Sequence, residues 1–284
     1  MGEIVEIIGV THAPAYARRL SAAPGKDAEI EPLRSELGAL RARLTAARPD
    51  VLIAVGNDHL NQFFMNNMPA FLIGKAPIAQ GPWSWERSMG IPRYRAGVDV
   101  GLARRVIELG SDNGVDFAFS DEFTLDHAFT FPLAHLRPEQ DLPIIPIFTN
   151  VMAPPVPTAK RFFDVGVAVR KVVDALPEGL RVGVVSSGHL SVEIGGPRMR
   201  GGAPDRTFDE WSVGLLGRGD AATLVRELTM ERMSKAGNYT AGFLNFVMLL
   251  GMAGGRAASQ ADCMRIGRSS APVLRWAGTS ETHP

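Results

Sequence analysis

Six histidines occur in the 284 residues, and four of them stand just past a short apolar run. His12 follows IVEIIGVT, His59 follows VLIAVGND, His127 follows FAFSDEFTLD and His189 follows VGVVSSG. Neutral imidazole is the commonest metal ligand and the side chain that titrates near neutral pH. Several at one place therefore suit a metal centre, proton transfer, or both. A single histidine so placed is as often a core or solvated residue, but chance would scatter four of them over helices and both ends of strands. His135 and His283 lack this placement and are read as bland. Asp58 beside His59 and Asp126 beside His127 are candidates to orient those rings from behind. Turn capping is the plain alternative for both acids.

For these histidines to meet, the runs before them must be strands whose carboxyl ends share one rim of a sheet. Strands are expected at Ile4–Val10, Val51–Val55, Ala70–Ile73, Val115–Phe119, Ile144–Phe148 and Arg181–Ser186. These runs are rich in Val, Ile and Phe and bounded by Gly, Pro, Asn or Asp, as buried strands are. Helices are expected between them. Glu31–Ala47 carries Leu33, Leu37, Leu40 and Leu44 on one face, and Val98–Leu109 and Thr158–Leu176 behave similarly. After Pro197 the pattern turns to helices only: Asp209–Leu216, Ala221–Lys235 and Thr240–Met252. The expected fold class is α/β, with a central mostly parallel or mixed sheet flanked by helices. One domain is expected over residues 1–284, with a helical C-terminal portion at about 205–260. Gly195–Asp205 reads as a surface loop and Gly278–Pro284 as a frayed end.

Composition narrows the function. Lys+Arg and Asp+Glu both number 30, a balance that disfavours bulk binding to nucleic acid. Hydrophobic residues make up 45% and charged ones 21%, which excludes a disordered chain. The single Cys263 excludes an internal disulfide and any cysteine-rich metal site. The N-terminus is acidic where a signal peptide is basic. The longest apolar stretch, Phe243–Ala253, is shorter than the ~20 residues of a membrane span. A cytoplasmic protein with no membrane or nucleic-acid partner is expected. There is no Gly-x-Ser-x-Gly elbow and no dinucleotide fingerprint.

THAP after the first strand, GNDHLNQFFMNNMPAFLIG after the second and LDHAFTFPL further on resemble the class III extradiol ring-cleaving dioxygenases. Their members include the protocatechuate 4,5-dioxygenase catalytic subunit and gallate dioxygenase. The likeness continues through SSGHLSVEIGGP, FDEWSVGLLGRGD and AGNYTAGFLNFVMLLGMAG, so it covers nearly the whole chain. It implies Fe(II) held by two histidines and a glutamate, with open positions for a catecholate and O2. His12 and His59 match the two histidine ligands. His127 matches the histidine near bound oxygen and substrate, with Ala128 where glycine is usual. The implied partners are a small aromatic substrate and O2. A homo-oligomer is also implied, and the need for a small helical partner subunit, found in some relatives, stays open.

Two departures stand against these matches. The family's glutamate ligand belongs to a Glu-x-x-Asn-Trp pattern, and GFLNF puts Gly242 at its place, before Asn245 and Phe246. The family's acid/base histidine closes a Gly-Gly-Leu-Ser-His run. Here the run reads GHLSV, so Val192 takes that position and His189 stands where the second glycine belongs. His189 is thus a catalytic candidate from a shifted place, and Glu193 is the nearest acid to replace the lost ligand, with a solvated loop acid as the favoured plain alternative. Arg198, Arg200 and Arg206 are candidates to receive a substrate carboxylate, with a solvated loop as the plain alternative. Extradiol cleavage is the leading reading. Two rivals stay open: non-oxidative chemistry on a phenolic substrate at an altered metal site, and a non-catalytic subunit.

Overall fold

The computed structural model describes residues 1–196, 205–267 and 269–278. Arg198, Arg200, His283, most of the Gly195–Asp205 loop and nearly all of the Gly278–Pro284 end lie outside them. The strands are β1 (Glu3–Thr11), β2 (Val51–Asn57), β3 (Phe71–Gly74), β4 (Ile78–Gly81), β5 (Tyr94–Gly97), β6 (Ala118–Ser120), β7 (Ile144–Thr149), β8 (Arg181–Gly188), β9 (Gln260–Ile266) and β10 (Ser269–Ala277). Helices fill most of the intervals. The first five are α1 (Pro14–Ser21), α2 (Glu31–Ala47), α3 (Ser84–Arg87), α4 (Val100–Asp112) and α5 (His127–Leu136). Then come α6 (Ala159–Asp174), α7 (Arg206–Arg218), α8 (Ala221–Glu227), α9 (Met230–Ala236) and α10 (Leu244–Met252).

Eight strands form one sheet in the order β6-β3-β7-β2-β8-β1-β10-β9, and β4 pairs with β5 apart from it. The central four, β7-β2-β8-β1, are mutually parallel. Every residue of β2 and β7 is buried, which is why these strands read as unbroken apolar runs instead of alternating ones. Helix α2 buries the four leucines of its stripe, and Thr158 caps α6 by accepting from the Arg161 N–H. The α/β class with a mixed sheet and helices in the C-terminal part is therefore what forms.

Several elements differ from the sequence expectation. The chain does not end in helices only, because β9 and β10 add an antiparallel hairpin to β1. Strand β9 is half-exposed and β10 contains Pro272, so neither shows the apolar run that marks a buried strand. The single helix expected over Ala221–Lys235 divides into α8 and α9, because Thr229 leaves helical geometry and caps a new helix at the Arg232 N–H. Helix α5 is apolar nearly all round and holds Pro132, so it offers no periodic face to read.

The most consequential difference concerns β6. It pairs parallel to β3, which runs antiparallel to β7, so its carboxyl end lies at the rim opposite the central strand ends. His127 thus does not arrive on a strand end. Residues 121–126 carry the chain back, held at Thr124 by two hydrogen bonds with the Gln62 amide.

Helix α10 lies fully buried against α6, and glycine makes the approach possible. A Cβ on Gly166 would fall 2.1 Å from the Met248 carbonyl oxygen, and one on Gly251 would fall 2.2 Å from that of Phe163. Either Gly166→Ala or Gly251→Ala should force the helices apart. The expected loss is about 1–3 kcal/mol or more, as for overpacked cores. A urea midpoint equal to that of the unsubstituted protein in both variants would show that the contact is not tight.

Candidate metal centre

Parallel strands bring three of the histidines to one rim: His12 just after β1, His59 two residues after β2 and His189 just after β8. His127 opens α5, where Asp126 is the cap and accepts from the Ala128 N–H. The four imidazoles meet. Ring centroids lie 5.2 Å apart for His12 and His59, 5.4 Å for His12 and His127, and 4.1 Å for His12 and His189. His59 and His127 stack at 4.0 Å. His135 is remote from this group and packs on Phe131.

Hydrogen bonds fix where the protons sit. The Ser187 hydroxyl donates its one proton to the Ala128 carbonyl, so it must accept from Nδ1–H of His12 at 2.8 Å. His59 donates Nδ1–H to Asp126 at 2.9 Å, and His127 donates Nδ1–H to Glu86. Each ring is thereby left with its lone pair on Nε2. That of His12 is buried with no partner among the described residues, and that of His59 has only the Asn57 amide, at 3.2 Å. One ring nitrogen from each of His12, His59 and His127 lies within 4.8 Å of the other two. A buried, unpaired lone pair is costly. The orphaned nitrogen of His12, with a ring nitrogen of His59 and one of His127 close by, is what a divalent ion of imidazole preference needs, so these residues fit a metal.

The acids behind the rings are not all those expected. Asp58 does not orient His59; its carboxylate accepts from the N–H groups of Asn61, Gln62 and Phe63, as a turn cap does. Asp126 serves His59 instead of its neighbour His127. Glu86 serves His127, and sequence reasoning missed it, because nothing in PWSWER separates a fully buried glutamate from an exposed one. Ser187 was likewise unmarked among the serines near His189.

Gly242 stands at the cavity wall beside His189. A Cβ there would lie 3.3 Å from His189 Cδ2 and 3.3 Å from its backbone nitrogen, close enough that His189 would have to give by a few tenths of an ångström. Asn245, one turn on, donates to the Ser187 carbonyl at 2.8 Å and accepts from Thr149 at 2.7 Å. Glu193 is in neither close group of potential ligands among the described residues, and its Oε2 accepts from the Asn238 N–H. Val192 is bound through its backbone to Tyr239 and Thr240. Arg206 begins α7 and is exposed. The cavity, about 230 Å³, has His59, His189 and Asn57 on its polar side and Leu60, Met152 and Val156 among its apolar walls. Among the described residues, the His189 ring nitrogens have no hydrogen-bond partner.

A model of the family described as the catalytic LigB subunit of aromatic ring-opening dioxygenase matches residues 6–274. The chain belongs to that family. One relative, the 2,3-dihydroxyphenylpropionate/2,3-dihydroxicinnamic acid 1,2-dioxygenase of Photorhabdus laumondii, is 35% identical over 152 residues, 53% of this chain and 45% of that one. Its namesake from Cupriavidus necator is 32% identical over 203 residues, 71% of this chain and 61% of its own length. The chain thus spans about half to three fifths of these relatives. An uncharacterized protein of Escherichia coli K12 shares the fold, with TM-score 0.63 at 17% identity, over 95% of this chain and 99% of that one.

In this LigB-family chain the cluster is electrostatically divided. Burial, then His189, His59 and His127, hold His12 well below the ordinary histidine value. Burial and His59 lower His127 against the pull of Glu86 and Asp126. His189 is pushed down to about 3 by burial and by the neighbouring His59 and His127. Burial also opposes charge on His59, but the Asp126 carboxylate outweighs it and raises that ring. The unfolded chain protonates its histidines near pH 6.5, so below that it binds more protons than the fold does at His12, His127 and His189. The contribution of His59 runs the other way, present below about 6.5 and lost as pH rises through its folded value. Three outweigh one. Metal-free protein should lose stability from about pH 6.5 downward, with His189 alone accounting for on the order of 2 kcal/mol by about pH 5. Urea midpoints across that interval measure it, and His189→Phe should flatten the decline.

Proposed function

We propose that this chain performs extradiol cleavage of a catechol-type ring with O2 at a non-heme Fe(II) centre. The single observation that carries the reading is the convergence of buried, proton-free histidine nitrogens at the edge of an apolar cavity, in a chain of the ring-opening family. His12 and His59 would hold the ion, and His127 and His189 are the catalytic imidazoles beside it. When bound, Fe(II) supplies adjacent positions for the catechol oxygens and O2, replacing an improbable three-body encounter. Everything else falls to the protein. Leu60, Met152 and Val156 hold the ring and exclude water. His189, on the cavity wall and without a described partner, offers a ring nitrogen to a catechol hydroxyl; burial keeps its proton affinity low, so it accepts a hydrogen bond there and orients the ring. Ser187, Asp126 and Glu86 keep the other three rings from turning.

The proposal reads residues 1–284 as one catalytic domain of a cytoplasmic homo-oligomer, with or without a small helical partner subunit. No described helix is long and apolar enough to cross a membrane. Non-oxidative chemistry at the same site is the second reading, favoured by one observation only, the glycine at 242.

The test is O2 consumption with 2,3-dihydroxyphenylpropionate and simpler catechols, with ring opening followed by the yellow colour of the product. Iron-loaded protein should turn over, His12→Ala and His59→Ala should fall by more than about 100-fold, and His135→Ala should stay close to the parent. Full activity in both His12→Ala and His59→Ala, at matched folding, would overturn the assignment. Product formation without O2 uptake would favour the second reading.

A further inference from the structure

The family's metal site includes a carboxylate, and this chain has glycine in its place with a histidine ring packed over it. The geometry points to a metal centre of three neutral imidazoles, in which His127 joins His12 and His59 as the third ligand. This inference rests on the function proposed above and changes the role of one residue in it.

Three observations support it. First, His12, His59 and His127 are the only three histidines among the described residues that offer ring nitrogens within 4.8 Å of one another. His189 touches His12 but is not in that group, and Glu193 is tied to Asn238. Second, His127 is wired as His59 is. In both, Nδ1–H is donated to a fully buried carboxylate, which leaves the lone pair on Nε2, faced at His59 by the Asn57 amide, and fixes the ring plane, the usual arrangement behind a metal-bound histidine. The same Glu86 oxygen also accepts from the His127 backbone N–H, so backbone and ring are held together.

Third, the charge balance closes without a carboxylate bound to the ion. Asp126 and Glu86 stand one imidazole away from the centre and offset a divalent ion through the rings. They are not themselves placed to bind it, although with His127 they too form a close group. Asp126 already accepts from the His59 and Ala128 N–H groups, and Glu86 accepts from those of His127 and Trp83. An ion among those donors would face their partial positive charges. His189 is no ligand in this centre and keeps its place on the cavity wall, beside the Cα of Gly242.

The experiment is an anaerobic titration of the full chain with Fe(II), and with Co(II) as a spectroscopic probe, against a competing chelator. X-ray absorption on the loaded protein counts the imidazoles. Three are expected. His127→Ala should weaken metal affinity by more than the about 10–100-fold typical of losing an outer partner. Glu86→Gln, which keeps the ring in place but removes the charge, should weaken it by about 10-fold. His189→Ala should stay within about 3-fold, because it removes no ligand. A count of two imidazoles, or an unchanged affinity in both His127→Ala and Glu86→Gln, overturns the inference. If His127→Ala does not fold, the count in the unsubstituted protein and the Glu86→Gln affinity still decide it. Three imidazoles with no catechol turnover would sink the ring-opening reading and leave the three-histidine centre standing. Catechol turnover with two imidazoles would do the reverse.

Discussion

The fold brings four imidazoles out of water and into contact, which disfavours charge on each of them, and only at His59 does a carboxylate, Asp126, outweigh that penalty. Burial penalises the charged form, and neighbouring rings penalise it further. The chain meets this constraint by giving three of the rings an acceptor at Nδ1: a serine whose own proton is committed to Ala128, and two buried carboxylates. These acceptors come from β8, from the α5 cap and from α3, so the chemistry of the centre depends on parts of the chain far apart in sequence. Once they are in place, the lone pairs on Nε2 have no direction left but inward.

The glycines tell the same story from the packing side. Helix α10 can lie against α6 only because Gly166 and Gly251 lack side chains, and that approach sets where Asn245 meets the Ser187 carbonyl. Gly188 also needs its small size, since a Cβ there would fall 2.4 Å from the Gly242 carbonyl oxygen. Through Ser187 the helix packing bears directly on the proton of His12. Gly242 lets His189 pack close to the wall, since a Cβ there would fall 3.3 Å from the His189 ring and backbone.

What the sequence determined by itself was the parallel centre of the sheet and the identity of the four histidines. Continuous apolar runs such as VLIAVGN and IIPIFT are legible because a strand covered on both faces needs apolar residues throughout. A histidine just past such a run is then fixed at the rim by chain direction alone. The family resemblance was legible for the same reason, as its motifs sit on those strand ends.

The tertiary structure decided the rest. It reversed β6, so that His127 reaches the centre by a returning segment, a matter of pairing between strands that no local pattern encodes. The β9–β10 hairpin was illegible because β9 is a half-exposed edge strand without an apolar run, and a proline breaks the run of β10 beside it. Most of all, only the assembled fold could say which acid serves which ring. Asp58 and Asp126 look alike beside their histidines, yet one caps a turn and the other crosses to His59, while Glu86 comes from a four-residue helix. A carboxylate's role is set by which donors lie within about 3 Å of it, and that is a property of space.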